Sequence, residues 1–482
     1  MIVFWIILAL IVLLLAVILV RTAMFKPKVQ PSVEHEKLSV NQEKAISNLQ
    51  QLIRCRTVSN PDHSLEDADE FKKLVSLLPK LYPHVFAACD YQELPERELL
   101  FHWKGKKSGP DAEAAVLMAH YDVVAVDEKA WTHDPFAAEI KDGILWGRGT
   151  LDTKVTFNGV LTAADELIAQ GFQPEEDIYM AFSGQEEING PGATMAVDYF
   201  KKNNIKLSMV VDEGGAVVDN VFPGVSTPCA LVGTAEKGMI NMEYTAKSAG
   251  GHASAPKPHS PVAALAEAVS KVENNPMKPY ISGPVTQMFN TLGRESTFLY
   301  RMIFANLWLF KGVLAKLTKK TGGDLNALMR TTVAFTMMNG SRQPNVIPPE
   351  AKVVSNIRIN PNDSIQSVTE HIKTVINDPS ITVSAHTDKF EPSPISTTEC
   401  DGWKRVVNAI KGTWDNCLVS PYLMVQCSDS RHYRDISDKV YRFCGYGITA
   451  EERLTIHGND EHIRLEEVGH NLEFYERLIR QC

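Results

Sequence analysis

The run from Ile2 to Val20 carries no charged and no polar side chain. At helical rise it spans roughly 28 Å, enough to cross the hydrocarbon core of a bilayer. No basic stretch precedes it, and "LVRTAMFKP" offers no clear small-x-small cleavage site, so the pattern reads as a signal anchor rather than a cleaved leader. Residues 27–40, "PKVQPSVEHEKLSV", are polar and unperiodic, as expected of a tether. Amphipathic periodicity predicts helices near 41–58 and 65–82. Strand-like apolar runs then alternate with helical ones: "AAVLMAH", "VTFNGVLTAADELIAQG", "DIYMAFSG", "GATMAVDYFKKNN" and "LSMVVDE". That alternation describes an α/β fold, a parallel sheet covered on both faces by helices. Chemistry in such sheets gathers at the carboxyl ends of the strands.

The pattern changes between about 237 and 388. Strand "MINMEYTAK", helix "PVAALAEAVSKVE", strands "TTVAFTMMN" and "AKVVSNIRI", helix "SIQSVTEHIKTVIN" and strand "ITVSAH" follow one another. The order βαββαβ predicts a ferredoxin-like lid domain. It is interrupted near 277–330 by an aromatic-rich segment, read as core helices of an enlarged domain, with a lipid-binding surface as the alternative. The α/β style returns at about 389. The expected organisation is an anchor (1–24), a linker (25–40), a catalytic domain in two parts (41–236 and 389–482) and an inserted lid (237–388).

At 482 residues the chain is too long for one ordinary core, and 44% apolar with 22% charged residues suits a folded protein. A net charge of −9 excludes a nucleic-acid binder, which needs a basic face against phosphate. Eight scattered cysteines without a CxxC pair support neither a disulfide scaffold nor a thiolate zinc site.

Acidic and imidazole side chains recur at the predicted strand ends and in the loops. "MAHYDVV" holds His120 and Asp122, "GRGTLDTK" Asp152, "GQEEING" Glu186 and Glu187, "VVDEGG" Asp212, and "IHGNDE" His457. Adjacent strand residues point to opposite faces, so Glu186 and Glu187 are expected to do different work. In order, and with "AEKG", "NVIPP", "SDSRHY" and "YRF", the series resembles the aminoacylase/carboxypeptidase S family of di-zinc metallopeptidases, which includes succinyl-diaminopimelate desuccinylase. Within it, the likeness is nearest to the N-fatty-acyl-amino-acid synthase/hydrolase and carboxypeptidase S branch.

The resemblance implies two Zn²⁺ ions held by His120, Asp152, Glu187, Asp212 and His457, with Asp152 bridging. His120 and Asp212 would complete one site, Glu187 and His457 the other. Oxygen and imidazole donors suit zinc, and the carboxylates offset its charge. Glu186 becomes the general base and Asp122 the partner that orients His120. His252 in "GGHASAP" matches the histidine that polarises the scissile carbonyl, often from a partner subunit, which implies a homodimer through the lid. Asn345 and Arg358 match groups that grip substrate, and guanidinium suits a carboxylate. Thr153, Cys427 and Ser428 depart from the family pattern without replacing a ligand.

The expected activity is hydrolysis of an amide beside a free carboxylate, in an N-acyl amino acid or a short peptide, with the reverse condensation open to the same site. The alternatives are a dipeptidase of this fold and an inactive, membrane-tethered binding protein. Arg21, Lys26 and Lys28 follow the anchor and favour a cytoplasmic domain by the positive-inside rule. The resemblance and two sequons, at Asn339 and Asn362, favour the lumenal or extracellular side, which is the reading adopted.

Overall fold

Helix α1 (Ile2–Met24) stands clear of the protein along most of its length, and only Ile18 and Thr22 are buried. It is the one helix among the described residues that alone is long and apolar enough to cross a membrane. The computed structural model describes residues 1–28, 30, 38–109 and 112–482, so most of the expected tether lies outside it. Helix α2 (Gln42–Ile53) starts at Asn41, whose side chain accepts from Lys44 N, and α3 (Ala68–Leu81) is capped in the same manner by Asp67. Their apolar faces, with Leu49, Leu52, Phe71 and Leu74, join the main core. After α4 (Pro83–Ala88) come β1 (Asp90–Leu94) and β2 (Glu98–Trp103), an antiparallel pair absent from the expected elements.

Strand β3 (Glu113–His120), the short pair β4 (Glu139–Lys141) and β5 (Ile144–Trp146), helix α5 (Lys154–Ala169), β6 (Asp177–Ser183), α6 (Gly192–Lys202), β7 (Lys206–Val218) and β8 (Cys229–Glu236) complete the first part of the main α/β unit. The lid follows with β9 (Gly238–Lys247), β10 (Gly251–His252) and α7 (Pro261–Asn274). Four further helices interrupt it: α8 (Gly283–Glu295), α9 (Phe298–Ala305), α10 (Leu307–Thr321) and α11 (Gly323–Met329). The lid resumes with β11 (Thr332–Asn339), β12 (Val346–Ile347), β13 (Glu350–Ile359), α12 (Ile365–Ile376) and β14 (Ile381–Phe390). The chain then returns to the main α/β unit through α13 (Asp401–Thr413), β15 (Leu418–Met424), β16 (Val440–Ile448), α14 (Ala450–Arg453), β17 (His462–Arg464) and α15 (Leu465–Ile479).

The main sheet has eight strands in the order β1-β2-β6-β3-β7-β16-β8-β15. The pairings β3–β6, β3–β7, β7–β16 and β8–β15 are parallel. Strands β3 and β6 are buried on both faces, which is why they read as unbroken apolar runs rather than as alternation. The lid is a four-stranded antiparallel sheet, β11-β13-β9-β14, with the expected βαββαβ order. It has its own core, in which Ile240 and Ile357 meet Leu265 of α7 and Ile372 of α12.

The helices between α7 and β11 build a third core of Phe222, Val285, Phe289, Leu292, Phe304 and Leu423, against β8 and β15 at one edge of the main sheet. The expectation of core helices is met by α8. Helices α9 and α10 leave Phe298, Leu299, Trp308 and Val313 exposed.

Candidate metal centre

Strand β3 delivers His120 at its carboxyl end, and β6 leads into a short 3-10 turn, Glu186–Ile188, closed by Asn189 in the left-handed region. Glu186 and Glu187 are therefore not strand neighbours, and something other than the pleat separates them. Asp122 does so from below. Its Oδ1 accepts from Glu186 N at 3.1 Å, and its Oδ2 accepts from Glu187 N at 3.2 Å and from Ser59 Oγ at 2.7 Å. With both amides held, the side chains diverge. The Glu187 carboxylate lies 2.9 Å from His457 Nε2. The Glu186 carboxylate faces the cavity, with Arg431 Nη1 at 3.8 Å.

Asp152 stands between two imidazoles, Oδ1 at 3.0 Å from His120 Nε2 and Oδ2 at 3.1 Å from His457 Nε2. The Nδ1 of His120 faces the backbone oxygen of Asp122 at 3.0 Å and its carboxylate at 3.4 Å, which turns Nε2 toward the cluster. The Asp152 loop is held by Glu461. That fully buried carboxylate accepts from Leu151 N, Asp152 N and Gly149 N, and pairs with Arg148 Nη1 at 2.6 Å.

Asp212 is not among the ligand atoms gathered at His120. It sits within β7, where two backbone amides take up its carboxylate. Its Oδ2 accepts from Ser430 N at 2.8 Å and its Oδ1 from Glu213 N at 2.9 Å. The neighbour Glu213 reaches the site, with Oε1 3.3 Å from His120 Nε2. The cause is a bulge. Arg442 of β16 pairs with Asp212 but Phe443 with Gly215, so two residues of β7 are passed over. Gly214 takes φ +143 there, and a Cβ on Gly215 would lie 1.6 Å from the Leu231 carbonyl oxygen. The "DEGG" motif is thus a carboxylate followed by the two glycines that aim it.

Two sets result, His120–Asp152–Glu213 and Asp152–Glu187–His457, each with its candidate ligand atoms within 4.8 Å of one another. Burial pushes the Glu213 carboxyl up to about 8, against the pull of His120. Burial and then the Asp152 charge push Glu187 up to about 7. Hydrogen bonds to Asp152 and Glu187 raise His457 to about 11. These shifts describe carboxylates crowded out of water and short of positive charge. One oxygen of Glu187 is buried with no hydrogen-bond partner. Carboxylate and imidazole donors, an orphaned buried oxygen and a shared Asp152 fit a pair of divalent metal ions.

A cavity of about 430 Å³ opens onto these sets and is lined by Asp152, Glu186, Glu187, Glu213, His457 and Arg358, among others. Arg358 comes from β13 of the lid, and its Nη1 lies 2.6 Å from Cys427 Sγ. His252 and Asn345 do not line the cavity. The pairing of β10 with β12 brings them together on the exposed edge of the lid, where Ala253 N donates to the Asn345 carbonyl. Sequence reasoning passed over Glu213, Glu461 and Arg431, although each lies inside or beside a motif already singled out.

Residues 116–481 match peptidase family M20/M25/M40. The chain is 34% identical over 415 residues to the probable carboxypeptidase S-like 2 of Dictyostelium discoideum, covering 85% of this chain and 79% of that one. It is 32% identical over 479 residues to the N-fatty-acyl-amino acid synthase/hydrolase PM20D1 of Xenopus tropicalis, covering 97% and 93%. Among solved structures, the M20 family metallo-carboxypeptidase Sso-CP2 from Sulfolobus solfataricus superposes with a TM-score of 0.65. Its sequence is 18% identical, and the match covers 91% of this chain and 98% of that one.

Proposed function

The chain belongs to peptidase family M20/M25/M40, and we propose that it is a di-zinc hydrolase of an amide beside a free carboxylate. Its substrates are N-acyl amino acids or short peptides cut at the C-terminal residue, and the reverse condensation is open to the same residues. The observation that carries this reading is the two ligand sets sharing Asp152, with Glu186 and Arg358 facing the same cavity. The printed names of the curated relatives, one carboxypeptidase S-like and one a synthase/hydrolase, support the substrate class.

His120, Asp152 and Glu213 would hold one zinc ion, and Asp152, Glu187 and His457 the other. When bound, such ions polarise a carbonyl and acidify water. Glu186 takes the proton of the attacking water on its carboxylate and passes it to the leaving amine. Asp122 keeps Glu186 and Glu187 in their separate directions by holding both amides. Arg358 binds the substrate carboxylate.

The test is a hydrolysis panel of N-oleoyl amino acids, N-acetyl amino acids and dipeptides on zinc-loaded protein, run beside Arg358→Ala. A charge-assisted hydrogen bond contributes about 1.5–3 kcal/mol, so the variant should lose about 10–100-fold in kcat/KM on acids. Their amide analogues should lose little. Equal losses on both would make Arg358 structural, and turnover of dipeptides alone would leave a dipeptidase. No turnover with both ions bound would leave a membrane-tethered binding protein.

We further propose a homodimer through the lid, in which His252 of one copy serves the cavity of the other. Its exposed place beside Asn345, away from its own cavity, supports this. With α1 as a single-pass anchor, the catalytic domain is placed on the lumenal or extracellular side. Asn339 and Asn362 are both exposed, as glycan acceptors must be. Protein from a eukaryotic membrane fraction should gain gel mobility on treatment with N-glycosidase, and the gain should vanish in Asn339→Gln/Asn362→Gln. Digestion of the domain only from the cytoplasmic side of sealed vesicles would reverse the orientation.

A further inference from the structure

Helices α9 and α10 meet at Asn306 with a bend of 108°, and the pair is apolar enough by composition to count as a broken membrane span. Phe298, Leu299, Trp308, Val313 and Leu317 are each more than half exposed. On α10, Leu309, Val313 and Leu317 recur at i, i+4 and i+8, the spacing of one helix face. Lys316 and Lys320 are exposed and lie seven residues after Leu309 and Val313, so they prolong that face with positive charge. The opposite side carries the buried Thr318 and Leu314, which packs on the third core.

The bend is fastened to α1. Asn306 is fully buried, and its Nδ2 donates to the Ile18 carbonyl and to Thr22 Oγ1, each at 3.3 Å. The Arg21 guanidinium donates to the Ala305 carbonyl at 3.2 Å. The apolar run of α1 ends at Val20, so these contacts lie where that helix leaves the hydrocarbon. An exposed apolar face fastened at that depth adjoins lipid.

We propose that α9 and α10 form a second membrane element, seated in the interface of the bilayer that α1 crosses. Trp308, Leu309 and Val313 lie among the acyl chains, and Lys316 and Lys320 lie at the phosphates. This rests on α1 being a retained anchor. The arrangement also aims the enzyme. Asp324 of α11, just beyond α10, pairs with Arg453 at 2.9 Å, and Arg453 lines the catalytic cavity. A hairpin lying on the bilayer therefore fixes how the cavity rim faces the lipid.

The full-length chain is reconstituted in phosphatidylcholine vesicles containing phosphatidylserine, with a polarity-sensitive fluorophore on an introduced cysteine. Four variants are compared: Trp308→Cys, Val313→Cys, Ile11→Cys in α1, and Leu65→Cys as an exposed apolar control by the far edge of the main sheet. The unsubstituted chain, labelled in parallel, supplies the background from native thiols. All four native side chains are exposed, so melting temperatures should match that of the unsubstituted protein. Labels at 308 and 313 should behave as the label at 11 does, losing most of their emission to acyl-chain nitroxides and little to aqueous iodide. The label at 65 should do the reverse. If 11 is quenched by nitroxides while 308 and 313 respond only to iodide, the face is bare and the proposal fails although the anchor stands. If 308 and 313 are shielded from both quenchers, a second copy of the chain covers them and the proposal fails. If 11 itself escapes the nitroxides, the anchor reading fails and takes the proposal with it.

Discussion

Glu186→Gln protein should keep both zinc ions and lose on the order of 10²–10⁴-fold in kcat, the usual cost of removing a general base. The expectation follows from the geometry of the 3-10 turn. Glu187 points at His457 and Asp152, whereas the Glu186 carboxylate faces the cavity beside Arg431. Glutamine preserves size and hydrogen bonding but cannot accept the proton. The amides of Glu186 and Glu187 still anchor to Asp122, so the ligand set is left as it was. Metal analysis beside steady-state kinetics decides the matter. Loss of zinc with normal turnover per remaining ion would exchange the roles of the two glutamates.

The second large effect separates Glu213 from its neighbour. Glu213→Ala should lose the ion shared with His120, with a fall in affinity beyond the roughly 10–100-fold that removal of an outer partner costs. Asp212→Asn should fall within that range, because Asp212 only accepts from Ser430 N and Glu213 N. Competition with a chromophoric chelator measures both variants on one scale. Stronger loss in Asp212→Asn than in Glu213→Ala would restore the assignment made from sequence.

That pair also shows where sequence reasoning runs out. His120, Asp152, Glu187 and His457 were expected from the family resemblance carried by their ordered motifs, and these four do stand in the two clusters. Which of Asp212 and Glu213 faces His120 was not legible, because a bulge sets it, and the bulge belongs to the pairing of β7 with a strand more than 200 residues away. The role of Glu461 was hidden for the same reason. Its carboxylate accepts from backbone donors about 310 positions earlier, and no local pattern records such a partner. Strand β1 escaped notice because "DYQEL" is polar and mostly exposed, whereas β2, "ELLFHW", is a buried apolar run that was simply passed over. In α9 and α10 the aromatic content was plain, but composition says only that a side chain avoids water, not what covers it.

The strand order of the main sheet has a consequence for how the chain is made. Strand β16 lies between β7 and β8, and α15 packs against α5, so the middle of the catalytic core stays open until residues 440–479 exist. The lid is continuous in sequence from Gly238 to Phe390 and owns its core, so on a ribosome it is complete before the domain that carries it. During that interval β7 and β8, joined to each other only where Val217 and Val218 meet Ala230 and Cys229, present the rest of their edges unpaired, with the sheet face that α15 will cover, the surface that attracts misassembly. At 5–20 residues per second, an order-of-magnitude rate for translation, the exposure lasts roughly ten to fifty seconds. Slowing translation after β8 would therefore prolong that exposure rather than relieve it.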